Sequence, residues 1–304
     1  MFDHSDPRSF DTREPGSRDP REAETRDPRD VFTSGLDLPR GRERERVYAP
    51  DHEYEVRGSE ARALATIGTF RVVPASDLRD DHGRPGDLRH GDLERLRSAG
   101  LVRRVAPFEG DRRTTLVALT ERGRAFLEHH RTPDHAPAQR FYAGPSKARE
   151  LTHDAQLYRA YLRSADRLHA QGARIDRVVL DDDLKREYQA FLQEGNRDQP
   201  ESDGRPTRTV EEIHEWAHAH DLPVLEDSVQ FPDLRIEYEW PDGRHEIENI
   251  EVLTPHYRGA HAAAKARSGF TCYRGGGARV GGRSGHSGSG GRPFDPDLAD
   301  EFLR

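Results

Sequence analysis

The chain has 304 residues, of which 33% are apolar and 34% charged, and its formal net charge is −8. That length holds two modest domains with tails, and the low apolar share points to solvated stretches around compact cores. The acidic balance excludes the global basic field of a nonspecific nucleic-acid binder, so any DNA contact must come from a local patch.

The single cysteine, Cys272, excludes an internal disulfide and a multi-cysteine zinc site. No apolar run reaches the length of a membrane span, and the N-terminus lacks an apolar signal segment. A cytoplasmic protein without membrane contact is expected.

Residues 1–50 read as a disordered arm. Asp6-Pro7-Arg8, Asp19-Pro20-Arg21 and Asp27-Pro28-Arg29 repeat opposite charges around a proline, and few apolar residues offset the entropy of ordering.

From residue 55 to 131 the pattern becomes globular. Ser59 can cap a helix whose apolar side carries Ala61, Ala63, Leu64 and Ile67. Pro74 to Leu78 starts a brief second helix, and a Gly/Pro loop over Gly83–Gly86 follows. Asp87 opens a third helix running to Ala99, with Leu88, Leu93 and Leu96 at helical spacing and Gly100 as its stop. Leu101–Pro107 and Arg113–Leu119 form two strands around the turn Glu109-Gly110-Asp111, and Thr120 caps a last helix over Glu121–His130.

The runs LERLRSAGLVRR and LVALTERGRAFLE in this order resemble the winged helix-turn-helix of bacterial transcription regulators. The resemblance implies that the third helix enters the major groove of double-stranded DNA with Arg89, His90, Arg95 and Arg97. Arg112 and Arg113 would serve the wing. Residues 57–130 hold 14 arginines against 11 acids, a local +3 in a chain of −8. Asp87, Asp92 and Glu94 oppose this reading if they face the phosphates.

Residues 132–149 form a linker, with Phe141-Tyr142 docking on one of the domains. Glu150–His169 is a helix on the stripe Leu151, Ala155, Tyr158, Leu162 and Ala165. Arg174–Leu180 is a strand and Asp181–Gln193 a helix. His214-Glu215-Trp216-Ala217-His218 formally matches the zinc-protease pattern H-E-x-x-H, in which His214 and His218 share a helix face. The helix is short and charged, and none of Glu226, Asp227 and Asp233 stands out as a third ligand.

Phe231–Trp240 and His245–Leu253 alternate as strands about the turn Pro241-Asp242-Gly243. Tyr257–Arg267 is an Ala-rich helix and Ser268–Tyr273 a last short strand. The hairpin brings Asp233 and Glu251 to one side, where two carboxylates can hold Mg²⁺, and Lys265 follows on the next helix. Pro232-Asp233, Glu251, Thr254, Lys265 and Tyr273 resemble the PD-(D/E)xK restriction-endonuclease-like superfamily and the C-terminal part of replication-relaxation proteins. Leu253 stands where a strict motif has lysine, so Lys265 would be a migrated lysine.

The fold class expected is therefore α+β or α/β: a winged helix, a small restriction-endonuclease-like α/β domain over 150–274, a Gly-rich linker over 275–292 and a short helix over 293–304. The last segment is a docking peptide for a protein partner or folds back on the chain, and homodimerisation stays open.

The resemblance implies a DNA-binding protein of a plasmid or other mobile element, without a cofactor. The alternatives are an Mg²⁺-dependent endonuclease, with Asp233, Glu251 and Lys265 as its catalytic set, and a zinc metalloprotease through His214 and His218.

Overall fold

The computed structural model describes residues 27–50, 52–105, 114–133, 139–145, 150–196, 206, 208–253 and 267–274. It is a mixed α+β fold, and none of its described helices is long and apolar enough to cross a membrane.

The opening stretch departs from the expected solvated arm. Residues 1–26 lie outside the described ones, but from residue 27 the chain is built into the core. A 3-10 turn over Asp30–Thr33 buries Phe32, which meets Phe70 edge-on at 5.5 Å and Tyr161 at 5.1 Å. Leu36 and Leu38 are also buried. Asp27 holds the Arg29 guanidinium, which donates to the Arg79 carbonyl at 2.7 Å. Burying one aromatic and two leucines offsets the ordering entropy that the charged composition suggested would prevail.

Next come strands β1 (Glu45–Ala49) and β2 (His52–Val56), an antiparallel hairpin pairing Val47 with Tyr54. Helix α1 (Gly58–Phe70) has Arg57 as its N-cap residue, and the Glu60 carboxylate accepts from the Arg57 amide at 3.1 Å. Ser59 therefore does not cap; its buried hydroxyl is spent elsewhere. Strand β3 (Val73–Pro74) leads into a single 3-10 turn, Ala75–Asp77, in place of the expected second helix.

Helix α2 spans Gly91–Ser98 and starts four residues later than the pattern suggested. The Asp87 carboxylate accepts from the Arg89 amide at 2.8 Å, and its carbonyl accepts from His90 at 3.3 Å. That local turn uses the backbone groups a helix would need. Strands β4 (Val102–Val105) and β5 (Leu116–Leu119) follow, giving a three-stranded antiparallel sheet in the order β3-β5-β4. Residues 106–113, with Arg112 and Arg113, lie outside the described ones.

Helix α3 (Glu121–His129) is capped as expected, with the Thr120 hydroxyl accepting from the Gly123 amide at 3.0 Å. Gly123 is required because a Cβ there would sit 2.1 Å from the Leu101 carbonyl oxygen. Phe141 is buried, and the Tyr142 amide donates to the Gly68 carbonyl at 2.8 Å, so this pair docks on α1.

Helix α4 (Leu151–Ala170), strand β6 (Arg174–Leu180) and helix α5 (Asp181–Gln193) fall where periodicity placed them. Helix α6 (Val210–Ala219) and the short strands β7 (Val224–Leu225) and β8 (Ser228–Val229) precede β9 (Leu234–Glu239) and β10 (His245–Leu253). Strand β11 (Thr271–Arg274) closes a four-stranded sheet in the order β11-β10-β9-β6. It pairs parallel to β10, while β9 pairs antiparallel to both its neighbours.

Leu234, Ile236, Ile250 and Val252 join Tyr158, Tyr161 and Leu168 of α4 in one core. That core continues into α1, where Phe70 meets Tyr158 at 5.2 Å. A separate cluster of Val179, Leu184, Ala217, Leu222 and Val229 ties α5 and α6 to the sheet.

Candidate nucleic-acid interface and carboxylate site

Helix α2 divides its charges by face. Arg95 and Arg97 keep about half of their side-chain surface open, at 51% and 49%, and Arg89 and His90 are exposed in the turn before it. Asp92 points the other way. Its carboxylate is buried, where it accepts from the Ser59 hydroxyl at 2.5 Å and from Arg57 Nε at 3.0 Å. Glu60, also buried, lies 2.8 Å from Arg44 and 3.6 Å from Arg95.

Asp81 is held likewise, by Arg62 at 2.9 Å and Arg57 at 3.7 Å. Glu60, Asp81 and Asp92 are thus matched from within by arginines, while Arg95 and Arg97 stay half open on α2. Asp87 is exposed in the turn before α2, and Glu94 is half-buried beside Arg97, 4.0 Å away. Arg103 and Arg104 are exposed on β4. The run Val102-Arg103-Arg104-Val105 signals both, although sequence reasoning assigned them no role.

The second constellation gathers at the start of α4 and the near ends of β9 and β10. Asp233 precedes β9, and its Oδ2 accepts from the Val252 amide at 2.8 Å while lying 3.1 Å from His153 Nε2. Leu234 pairs with Ile250, so Asp233 and Glu251 stand beside each other one step further along; Glu251 is fully buried. The register places the two residues side by side on neighbouring strands, and the Asp233 carboxylate is turned to the Val252 amide and His153. Lys265 and Thr254 lie outside the described residues.

Two residues join the site that sequence reasoning gave no part in it. His153 Nδ1 lies 3.8 Å from Asp154 Oδ1. Burial alone would lower the His153 pKa, but Asp154 and Asp233 outweigh it and raise the value to about 10, so the imidazole is a cation. Burial also pushes Asp154 up, against the pull of His153 and Arg71.

Lys185, the other addition, donates to Asp181 at 2.7 Å, and the Asp181 amide donates to the Asp233 carbonyl at 3.3 Å. The sequence signal for His153 is its place at the mouth of an amphipathic helix, which alone does not identify a partner 80 residues away.

Neither metal reading gains a ligand set. Among the described residues no group of three or more His, Cys, Asp or Glu side chains could hold a metal ion. One oxygen of Asp233 is engaged by an amide and an imidazole. On α6, His214 Nε2 lies 3.5 Å from Asp227 Oδ1, with both side chains largely exposed.

The turns of α6 instead serve packing. Ala217 is buried, and Trp216 stacks on His220 at 3.9 Å and on Phe191 at 5.6 Å. His214 and His218 are therefore two histidines at helical spacing on a helix that covers the sheet.

No protein-family model matches the chain, and no curated protein and no solved structure matches it either.

Proposed function

We propose that this chain binds double-stranded DNA through α2 and the β4–β5 hairpin, as a winged helix does. One observation carries the reading: α2 turns Arg95 and Arg97 outward, with Arg89 and His90 beside them, while Asp92 is folded inward against Arg57 and Ser59. An exposed arginine reads guanine bidentately or binds phosphate, and a carboxylate on the same face would oppose both.

The strand order β3-β5-β4 supports the winged-helix comparison. The order α4-β6-β9-β10-β11, with its final parallel pairing, supports the nuclease-like one. A replication-relaxation-like role on a plasmid or other mobile element rests on that resemblance. The proposal includes no hydrolytic step; Asp233 Oδ2 accepts from the Val252 amide and lies 3.1 Å from His153 Nε2.

The test is fluorescence anisotropy of labelled duplexes titrated with the full chain at several salt concentrations. Arg95→Ala and Arg97→Ala should each weaken binding, and a lost phosphate contact should lower the slope of log K against log salt by about 1. Unchanged affinity in the double variant would refute the assignment to α2.

A further inference from the structure

A cleft of about 330 Å³ opens between the end of α3 and the corner of β6 and α5, and Arg131, Arg140, Arg177 and Arg186 line it. Arg131 and Arg140 come from the segment after α3, Arg177 from β6 and Arg186 from α5, so both halves of the fold contribute.

The acids around the cleft do not use up these donors. Asp183 directs a single oxygen, Oδ1, at three groups: the Tyr142 hydroxyl at 2.8 Å, Arg186 at 2.8 Å and Arg140 at 3.3 Å. Arg131 is the satisfied member, bonded to Glu128 and to the Gln139 carbonyl at 2.5 Å. Arg177 is the opposite case. Its side chain is three-quarters buried, yet its ion pair to Glu237 is 3.9 Å long, and its guanidinium makes no hydrogen bond among the described residues.

A guanidinium offers five N–H donors and no acceptor. Arg140 and Arg186 share one carboxylate oxygen and Arg177 has only its 3.9 Å pair to Glu237, so most donors of these three groups stay uncommitted among the described residues. A phosphate complements them, because its oxygens accept several charge-assisted bonds at once and match the guanidinium fork. Glu187, on the same wall, supplies an opposing charge.

We infer that this cleft binds a phosphate group held by Arg140, Arg177 and Arg186, with Glu187 limiting its affinity. The phosphate belongs to a DNA backbone or to a small phosphorylated molecule; the first source rests on the DNA-binding reading and the second does not.

Pyrophosphate is the probe, titrated calorimetrically into the full chain, with duplex DNA anisotropy run in parallel. Arg177→Gln removes a group that makes only the 3.9 Å ion pair to Glu237 and no hydrogen bond among the described residues, so its thermal unfolding should stay close to that of the unaltered chain. If the cleft takes a free phosphate compound, Arg177→Gln weakens pyrophosphate about tenfold or more. Arg177→Lys then restores part of the loss, Glu187→Gln tightens binding, and DNA affinity does not change.

If the source is the DNA backbone, Arg177→Gln instead lowers DNA affinity and reduces the salt slope by about 1. Arg177→Gln protein that binds both pyrophosphate and DNA like the unaltered chain overturns the inference. That outcome leaves the DNA-binding reading standing if Arg95→Ala still weakens DNA.

Discussion

Removing the Asp92 carboxylate tests whether the inward ionic network holds α2 in place. In Asp92→Ala the Arg57 guanidinium, 16% exposed, loses the acceptor that two of its nitrogens share and keeps only Asp81 at 3.7 Å. The fully buried Ser59 hydroxyl loses its partner as well. Breaking a buried pair on one side costs about 3–5 kcal/mol. Asp81 remains as a partial partner, which places the pair at the lower end, and the stranded hydroxyl adds about 1 kcal/mol.

A loss of about 4 kcal/mol is a large part of the 5–15 kcal/mol that holds a typical domain. Asp92→Asn keeps an acceptor for Ser59 and loses the charge, so it should cost about half as much. Urea unfolding followed by circular dichroism should show a lower midpoint at an unchanged slope. An Asp92→Ala protein within about 0.5 kcal/mol of the unaltered chain would refute the reasoning, since that is the range of an ordinary surface change.

His153 gives a pH signature. Its pKa is raised from 6.5 to about 10 on folding, so the folded state holds the proton more tightly. Its stabilisation is complete below pH 6.5 and lost as pH rises to about 10, with a slope near −1.4 kcal/mol per pH unit inside that window. Chemical unfolding at several pH values should show that decline, and His153→Gln should flatten it; an equal slope in both would refute the pairing with Asp233. Gly123→Ala tests the close approach at α3. Alanine gains about 1 kcal/mol over glycine in a helix, but its Cβ would meet the Leu101 carbonyl at 2.1 Å, so the net change should be a loss of about 1–3 kcal/mol. A rise in unfolding midpoint would refute it.

Much of the second half is legible from local pattern. The bounds of β6, α5 and β10 fall where apolar period and flanking turns put them, because those signals act within a few residues. The Thr120 cap of α3 is legible for the same reason. The late start of α2 is not, since the Asp87 turn and the helix compete for the same backbone groups. The hairpin β1–β2 could have been read from Val47, Tyr54 and Val56 at strand spacing, but charges on the alternate positions concealed it.

Sequence alone determined the succession α4, β6 and α5 and the hairpin of β9 and β10 with its turn, all consequences of periodicity and nearby turn chemistry. Only the tertiary structure decided where charge points. Whether Asp92 faces solvent depends on Arg57, 35 residues earlier. Whether Asp233 meets a cation depends on His153, and whether Phe32 is buried depends on Tyr161. A composition with 34% charged residues says little about such pairings. The desolvation and partnering that fix each charge are set by contacts made when distant segments close on one core.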